Sequence, residues 1–240
     1  MELKEIYNHI AQDFSTTRRK IRPEFKIILN QLAILPQKEL HIADIGCGDG
    51  RLFGFLKENL KDKHLIFTWL DFSNQLIKLA TQRFPSAQWI QWDMRELSTY
   101  FPPLSQDVFI FLASFHHLQH PSHRLKVLQQ TYQSLKYDGK IILVNRNLWN
   151  PRYAKLFAQN IIKNFLTLKR NDLTWVYVPW KKEGKILQRY YHIFGIKEME
   201  KLLKLAGFGQ IKQFFVDSQG NITSQRRGSR NLISIATKLS

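Results

Sequence analysis

Glycines and carboxylates at strand ends carry the first chemical signal in this chain. In Asp44-Ile-Gly-Cys-Gly-Asp-Gly50 an apolar run feeds into Gly46, Gly48 and Gly50. Such a turn lets a ligand reach the main chain, because no β-carbon stands in the way, and a helix starting near Arg51 offers unpaired N–H groups beside it. A second apolar run, Phe67-Thr-Trp-Leu-Asp71, ends in an acid. That is where a nucleoside-binding α/β domain places the carboxylate that accepts from ribose hydroxyls. The two pieces together imply a bound nucleoside; the plainer alternative is an ordinary glycine-bearing strand-to-helix turn. Cys47, inside the turn, reads as a small packed residue.

The elements that must position these residues follow from periodicity. Leu3, Ile6, Ile10 and Phe14, then Phe25, Ile28, Leu29 and Leu32, keep helical spacing, so two helices precede the first strand. The order after that is strand 40–45, helix 50–60, strand 65–70, helix 73–83, short strand 88–92, strand 107–113, helix 122–136 and strand 139–146. Alternation of this kind implies an α/β, doubly wound, mostly parallel sheet with helices on both faces. One domain over 1–240 is expected, divided into N-terminal helices and lid (1–35), cofactor-binding core (36–146), substrate-recognition insertion (147–195) and C-terminal helix with strand hairpin (196–240). The insertion reads as a basic helical piece, Tyr153 to Arg170, followed by the aromatic segments Trp175-Val-Tyr-Val-Pro-Trp180 and Gln188-Arg-Tyr-Tyr-His-Ile-Phe194.

Asp44 to Gly50, then Leu70-Asp71-Phe-Ser73, then Trp92-Asp93-Met94, resembles the ordered signature of class I S-adenosylmethionine-dependent methyltransferases over about residues 35 to 150. It departs from the dinucleotide fingerprint, whose last glycine would fall at Arg51. The resemblance implies a Rossmann-like sheet ending in an antiparallel edge hairpin, supplied by Gln210–Asp217 and Asn231–Thr237. It also implies S-adenosylmethionine as cofactor. Asp44 with Gly46, Cys47, Gly48 and Gly50 would then cradle the methionine part, Asp71 the ribose, and Asp93 with Met94 the adenine. Tyr7, Phe72 and Ala113 complete the implied set.

Lys plus Arg number 36 against 19 Asp plus Glu, a formal charge of +17 with pI near 10.0. A polyanion is the natural partner of such a surface, with a lysine-rich genome composition as the rival explanation. A single cysteine excludes an internal disulfide framework and points to a reducing compartment. No charged-then-apolar leader opens the sequence, and no apolar run approaches the roughly 18 residues of a membrane span. A cytoplasmic protein without membrane contact is expected.

Methyl transfer from a sulfonium is an in-line displacement, so donor and acceptor must be held close and aligned. The chain has no Asn/Asp-Pro-Pro-Tyr motif after the fourth core strand, where the sequence reads Ala113-Ser-Phe-His-His117, and this disfavours amino-base methylation. Its one cysteine sits in the glycine turn, which leaves the covalent route to pyrimidine C5 without a nucleophile. An oxygen acceptor, especially a carboxylate, fits what remains.

Tyr7-Asn-His-Ile-Ala-Gln-Asp-Phe-Ser-Thr-Thr-Arg18, Pro23, Val178-Pro-Trp-Lys181, Gln188 to Phe194 and Ser229-Arg-Asn-Leu-Ile233 are similar to the tRNA wobble-uridine carboxymethyl methyltransferases. Members esterify a 5-carboxymethyl group on the wobble uridine in the anticodon loop, occur alone or fused to an AlkB-type oxygenase, and in eukaryotes work with a small zinc-binding activator subunit. The resemblance implies that Arg18, Arg189, Tyr190 and His192 position the acceptor, while His116 or His117 reads as a contact to donor or acceptor. The chain departs from the family pattern at Arg18-Arg-Lys-Ile-Arg-Pro23 and at Ser114-Phe115.

Each candidate also has an ordinary structural reading. Arg18 and Arg189 would be surface charges, Tyr190, Tyr191 and Trp180 core aromatics, and Lys155, Lys163, Lys169 and Arg170 a solvated face. No cysteine accompanies His116, His117, His120 and His123, and Pro121 interrupts them, so no metal site is expected. Two other functions stay open: a methyltransferase acting on oxygen of a small hydrophobic or quinone-type acceptor, and a non-catalytic module binding adenosylmethionine or RNA.

Overall fold

A computed structural model describes residues 1–18, 20–149, 153, 156, 158 and 174–240. Two amphipathic helices come first, α1 (Leu3–Thr16) and α2 (Pro23–Ala33), the second opened by a proline in its first turn. The core then alternates β1 (Glu39–Ile45), α3 (Arg51–Asn59), β2 (His64–Asp71), α4 (Asn74–Arg83), β3 (Trp89–Gln91), β4 (Gln106–Leu112), α5 (Pro121–Ser134) and β5 (Leu135–Arg146). β1 pairs in parallel with β2 and β4, β2 with β3, and β4 with β5.

Strand periodicity divides the core between two helical layers. Leu40 and Ile42 of β1, with Val108 and Ile110 of β4, pack with Phe25, Ile28 and Leu32 of α2 and Leu52 and Leu56 of α3. Their neighbours Ala43, Ile45, Phe109 and Phe111 point the other way, with Val127 and Leu128 of α5. The expected sheet with helices on both faces is the one observed.

After the core come β6 (Trp175–Lys182), β7 (Lys185–His192), α6 (Ile196–Leu205), β8 (Gly209–Val216), β9 (Ile222–Thr223) and β10 (Asn231–Thr237). The main sheet runs β3-β2-β1-β4-β5-β10-β8-β9, with β10 antiparallel to both neighbours. The returning strand is therefore threaded inside the sheet rather than left at its edge. Every residue of β10 is buried, whereas β8 alternates, and only an interior strand is covered on both faces.

The aromatic part of the insertion is a separate antiparallel hairpin of β6 and β7. Its turn places Glu183 and Gly184 at φ 49° and 74°, the paired left-handed residues that match strand twist in a two-residue hairpin. Lys182 Nζ donates to the His9 carbonyl at 2.8 Å, clamping the hairpin to α1. Ile6, Tyr7 and Ile10 fill the space between Leu76 of α4 and Leu187 of β7. Of the expected basic helix, only Tyr153, Leu156 and Ala158 are described; Lys155, Lys163, Lys169 and Arg170 lie outside the described residues. Among the described residues no helix is long and apolar enough to cross a membrane.

Candidate active site

A cavity of about 470 Å³ lies at the carboxyl ends of β1, β2 and β4, where an open α/β sheet presents its loops. Gly46, Gly48 and Gly50 turn there with φ of 77°, 62° and 76°. The Gly46 and Cys47 N–H groups donate to the Leu70 carbonyl at 2.6 and 3.1 Å, fastening the turn to β2. A β-carbon on Gly46 would overlap the Ser114 side chain, and one on Gly50 would overlap the Trp89 indole. At Gly48 the nearest atom would be a Phe14 ring carbon at 3.6 Å, so room is left on that side alone. Two of the glycines thus make space for the protein itself.

Three buried carboxylates surround the turn. Asp71 accepts from the Gly48 N–H at 2.9 Å and the Ser73 N–H at 2.8 Å; burial pushes its carboxyl up to about 6, against the pull of those bonds. Asp44 has no partner for Oδ1, and burial together with the charge of Asp71 pushes it up to about 8. Asp49, which sequence reasoning passed over, accepts from Ser15 Oγ and Arg51 Nε, both at 2.7 Å, and ties α1 to the turn. An acid flanked by two glycines was the available signal.

Asp93 caps the 3-10 turn Met94–Thr99 and pairs through Oδ2 with Arg95 Nε and Nη2 at 2.9 and 2.6 Å. Met94 lines the cavity and packs on the core. Phe72 sits 5.9 Å from the Tyr7 ring. Ala113 carries φ of 61° at the end of β4, a conformation costly for a residue with a β-carbon, and its N–H donates to the Val144 carbonyl at 2.9 Å.

The hairpin brings together some acceptor candidates and separates others. Arg189 is buried, its guanidinium 4.8 Å from the Trp180 ring and 5.5 Å from Tyr191, and its Nε and Nη1 have no partner. Arg18 lies 3.9 Å over Phe14 and 5.1 Å from Trp180, with Nη1 unpartnered. Burial lowers Arg18 to about 10, which leaves it charged at neutral pH. His116 stacks on Tyr191 at 4.7 Å and accepts from the Arg146 N–H through Nδ1, so its proton sits on an unpartnered Nε2. Burial holds its pKa well below the usual histidine range.

Tyr190 and His192 occupy the opposite face of β7, away from the cavity. Arg124 Nη2 donates to the Tyr190 hydroxyl at 3.2 Å, and His192 Nε2 lies 2.6 Å from Glu198 Oε1 and 3.1 Å from Arg124 Nη1. Their side chains anchor the hairpin to α5 and α6. Only the Tyr190 carbonyl faces the site, accepting from His117 Nδ1 at 2.8 Å.

Residues 43–141 match a family model described as a methyltransferase domain. A tRNA (carboxymethyluridine(34)-5-O)-methyltransferase of Schizosaccharomyces pombe is 26% identical over 223 residues, 85% of this chain and 86% of its own length. The chain is an S-adenosylmethionine-dependent methyltransferase. A protein of Xenopus tropicalis with the same activity in its name is 30% identical over 139 residues, 58% of the methyltransferase but only 20% of the frog protein. In fold, the methyltransferase is similar to an S-adenosylmethionine-dependent methyltransferase of Methanosarcina mazei, with TM-score 0.66 and 22% identity over 89% of this chain and 97% of that one. It also resembles a Burkholderia thailandensis methyltransferase solved with S-adenosylhomocysteine, with TM-score 0.59 and 18% identity over 98% and 84%.

Proposed function

We propose that the enzyme methylates the carboxylate of 5-carboxymethyluridine at the wobble position of a tRNA anticodon loop. The observation that carries this reading is the pair Arg18 and Arg189: both present unpartnered guanidinium nitrogens, and among the described residues no carboxylate pairs with either. A buried, unpaired cation costs several kcal/mol, so a site that holds one is built for an anion. The similarity to the fission-yeast enzyme over most of both chains, and the charge of +17, support RNA as the bearer of that anion.

The cavity suits the cofactor. The bare Oδ1 of Asp44 complements an ammonium, the turn Gly46-Cys47-Gly48-Asp49-Gly50, its own N–H groups at Gly46, Cys47, Gly48 and Gly50 held by Leu70, Asp71 and Cys47, forms a fixed wall beside the methionine part, and each Asp71 oxygen keeps a lone pair for a ribose hydroxyl. Asp93 and Met94, which line the cavity with Tyr7, Phe72 and Ala113, would hold the adenine between those walls. When bound, the cofactor supplies an electrophilic methyl on a sulfonium sulfur. A carboxylate oxygen accepts that methyl without first losing a proton, so no general base is required. Arg189 and Arg18 keep the acceptor ionised and aligned, and the His116 Nε2–H donates to it. Residues 1–35 act as the lid that excludes water, over the core 36–146 and beside the insertion 147–195 of a single domain. A small activator subunit and a cytoplasmic setting belong to the same reading.

Mass spectrometry of tRNA nucleosides from cells lacking the protein tests it. The free carboxyl should accumulate at the wobble uridine; unchanged wobble nucleosides together with a quinone precursor left unmethylated would reassign the enzyme to a small hydrophobic acceptor.

A further inference from the structure

Beyond the cavity, an exposed aromatic ring and an arginine are held together on the rim of the sheet where β5 ends. Arg146, the last residue of β5, lines the cavity. Three residues on, hence within roughly 11 Å at full extension, Trp149 is 41% exposed and Arg226 lies 5.0 Å over its ring. Exposed loops seldom receive buried anchors, yet this one does. The Nδ2 of Asn147, a residue only 3% exposed, donates to the carbonyls of Arg226 and Ser229 at 2.6 and 3.1 Å, and the Gly228 N–H donates to the Trp149 carbonyl at 3.2 Å. Arg226 also donates to the Phe194 carbonyl at 3.4 Å and keeps an unpartnered Nε. Arg227, next to it, is exposed.

We infer that Trp149, Arg226 and Arg227 form a platform for a nucleotide flanking the acceptor in a single-stranded RNA loop, with an unpaired base on the indole and its phosphate on the arginines. The chemistry fits that occupant. Every base offers a face to stack on an aromatic ring, an arginine already placed over that ring reinforces the contact, and a phosphate suits the guanidinium fork. The spacing fits as well, because a neighbouring nucleotide must lie within one or two backbone steps of the one being modified. This inference rests on the RNA reading above and deepens it.

Fluorescence anisotropy with a labelled RNA hairpin carrying 5-carboxymethyluridine in its loop, and with a fully paired duplex of equal length, tests the platform. Trp149→Ala should weaken hairpin binding by about five- to a hundredfold, leave duplex binding and S-adenosylhomocysteine affinity unchanged, and be rescued by Trp149→Phe. Arg227→Ala should lower the log–log salt slope by about one unit. Equal hairpin affinity in wild type and Trp149→Ala overturns the platform, even where the wild type methylates the hairpin. Loss of hairpin binding in Trp149→Ala, with a wild type that binds the hairpin but cannot methylate it, upholds the platform and removes the carboxymethyl acceptor instead.

Discussion

The Tyr7 hydroxyl donates to Nε2 of His117 at 2.8 Å, across a sequence gap that spans the whole cofactor half of the sheet. His117 donates its other ring proton to the Tyr190 carbonyl, so Nε2 must accept. One imidazole thereby joins α1, the turn after β4 and the hairpin. Tyr7→Phe leaves a buried ring nitrogen without a donor and should cost about 1–3 kcal/mol of stability, read from urea unfolding. Methylation should fall as α1 loosens from the cavity. A variant as stable as wild type would remove the bond from the closure of the site.

The same histidine sets an acid limit. Burial, helped by Arg189 and Arg18, pushes His117 down to about 3, whereas the unfolded ring titrates near 6.5. Between those values the unfolded chain binds more protons than the folded one, so stability should drop as pH falls from about 6.5 towards 3. His116, displaced in the same direction, adds to the slope. Unfolding midpoints across that range should show the loss, and His117→Asn should flatten it.

Asp44 works with the opposite sign. Its carboxyl is pushed up to about 8 by burial and by Asp71, against an unfolded value near 3.9. Between about 4 and 8 the folded protein keeps a proton that the unfolded chain has released, so this residue removes stability from the cofactor-free protein as pH rises. In the proposed site the cofactor's ammonium pairs with the ionised carboxylate, so affinity should climb with pH towards 8. Asp44→Asn should raise the melting temperature at pH 8, by about 2–4 °C for each kcal/mol recovered. It should also weaken S-adenosylhomocysteine binding by roughly ten- to a hundredfold. Calorimetric titration at pH 6 and 8 checks both halves; a pH-independent affinity would place the ammonium elsewhere.

Much of this arrangement is legible in the sequence. Local rules decide it: apolar strands feeding glycines, acids at strand ends, and a helix after each strand. The antiparallel pairing of Gln210–Asp217 with Asn231–Thr237 is legible, whereas the threaded position of β10 is marked only by its burial on both faces, since Leu232-Ile-Ser-Ile-Ala236 is interrupted by Ser234. The division of β7 was harder to read. Arg-Tyr-Tyr-His looks like one acceptor cluster until strand alternation sends Tyr191 to the cavity, with Arg189 on the same face against Trp180, and Tyr190 and His192 to Arg124. Asp49 carried one local signal, its place between two glycines with Arg51 beside it, but the contacts that give it a role, to Ser15 and Arg83, come from helices far from it in sequence. Those long-range pairs leave no trace in the local pattern.

Arg189→Lys separates charge from shape at the acceptor site. Lysine keeps the positive charge but loses the planar fork, and in this buried setting its ammonium would lack the two parallel donors that a carboxylate accepts. Methylation of RNA bearing 5-carboxymethyluridine should fall on the order of ten- to a hundredfold while cofactor affinity persists, because Arg189 touches none of Asp44, Asp71 or the glycine turn. Steady-state kinetics on the modified hairpin and calorimetry with S-adenosylhomocysteine give the two readings. Near-normal turnover in Arg189→Lys and Arg189→Ala, with activity abolished in Arg18→Ala, would move the clamp to the N-terminal segment. The hairpin would then act as a cover whose Trp180 stacks the base, and Trp180→Ala would become the variant that loses turnover.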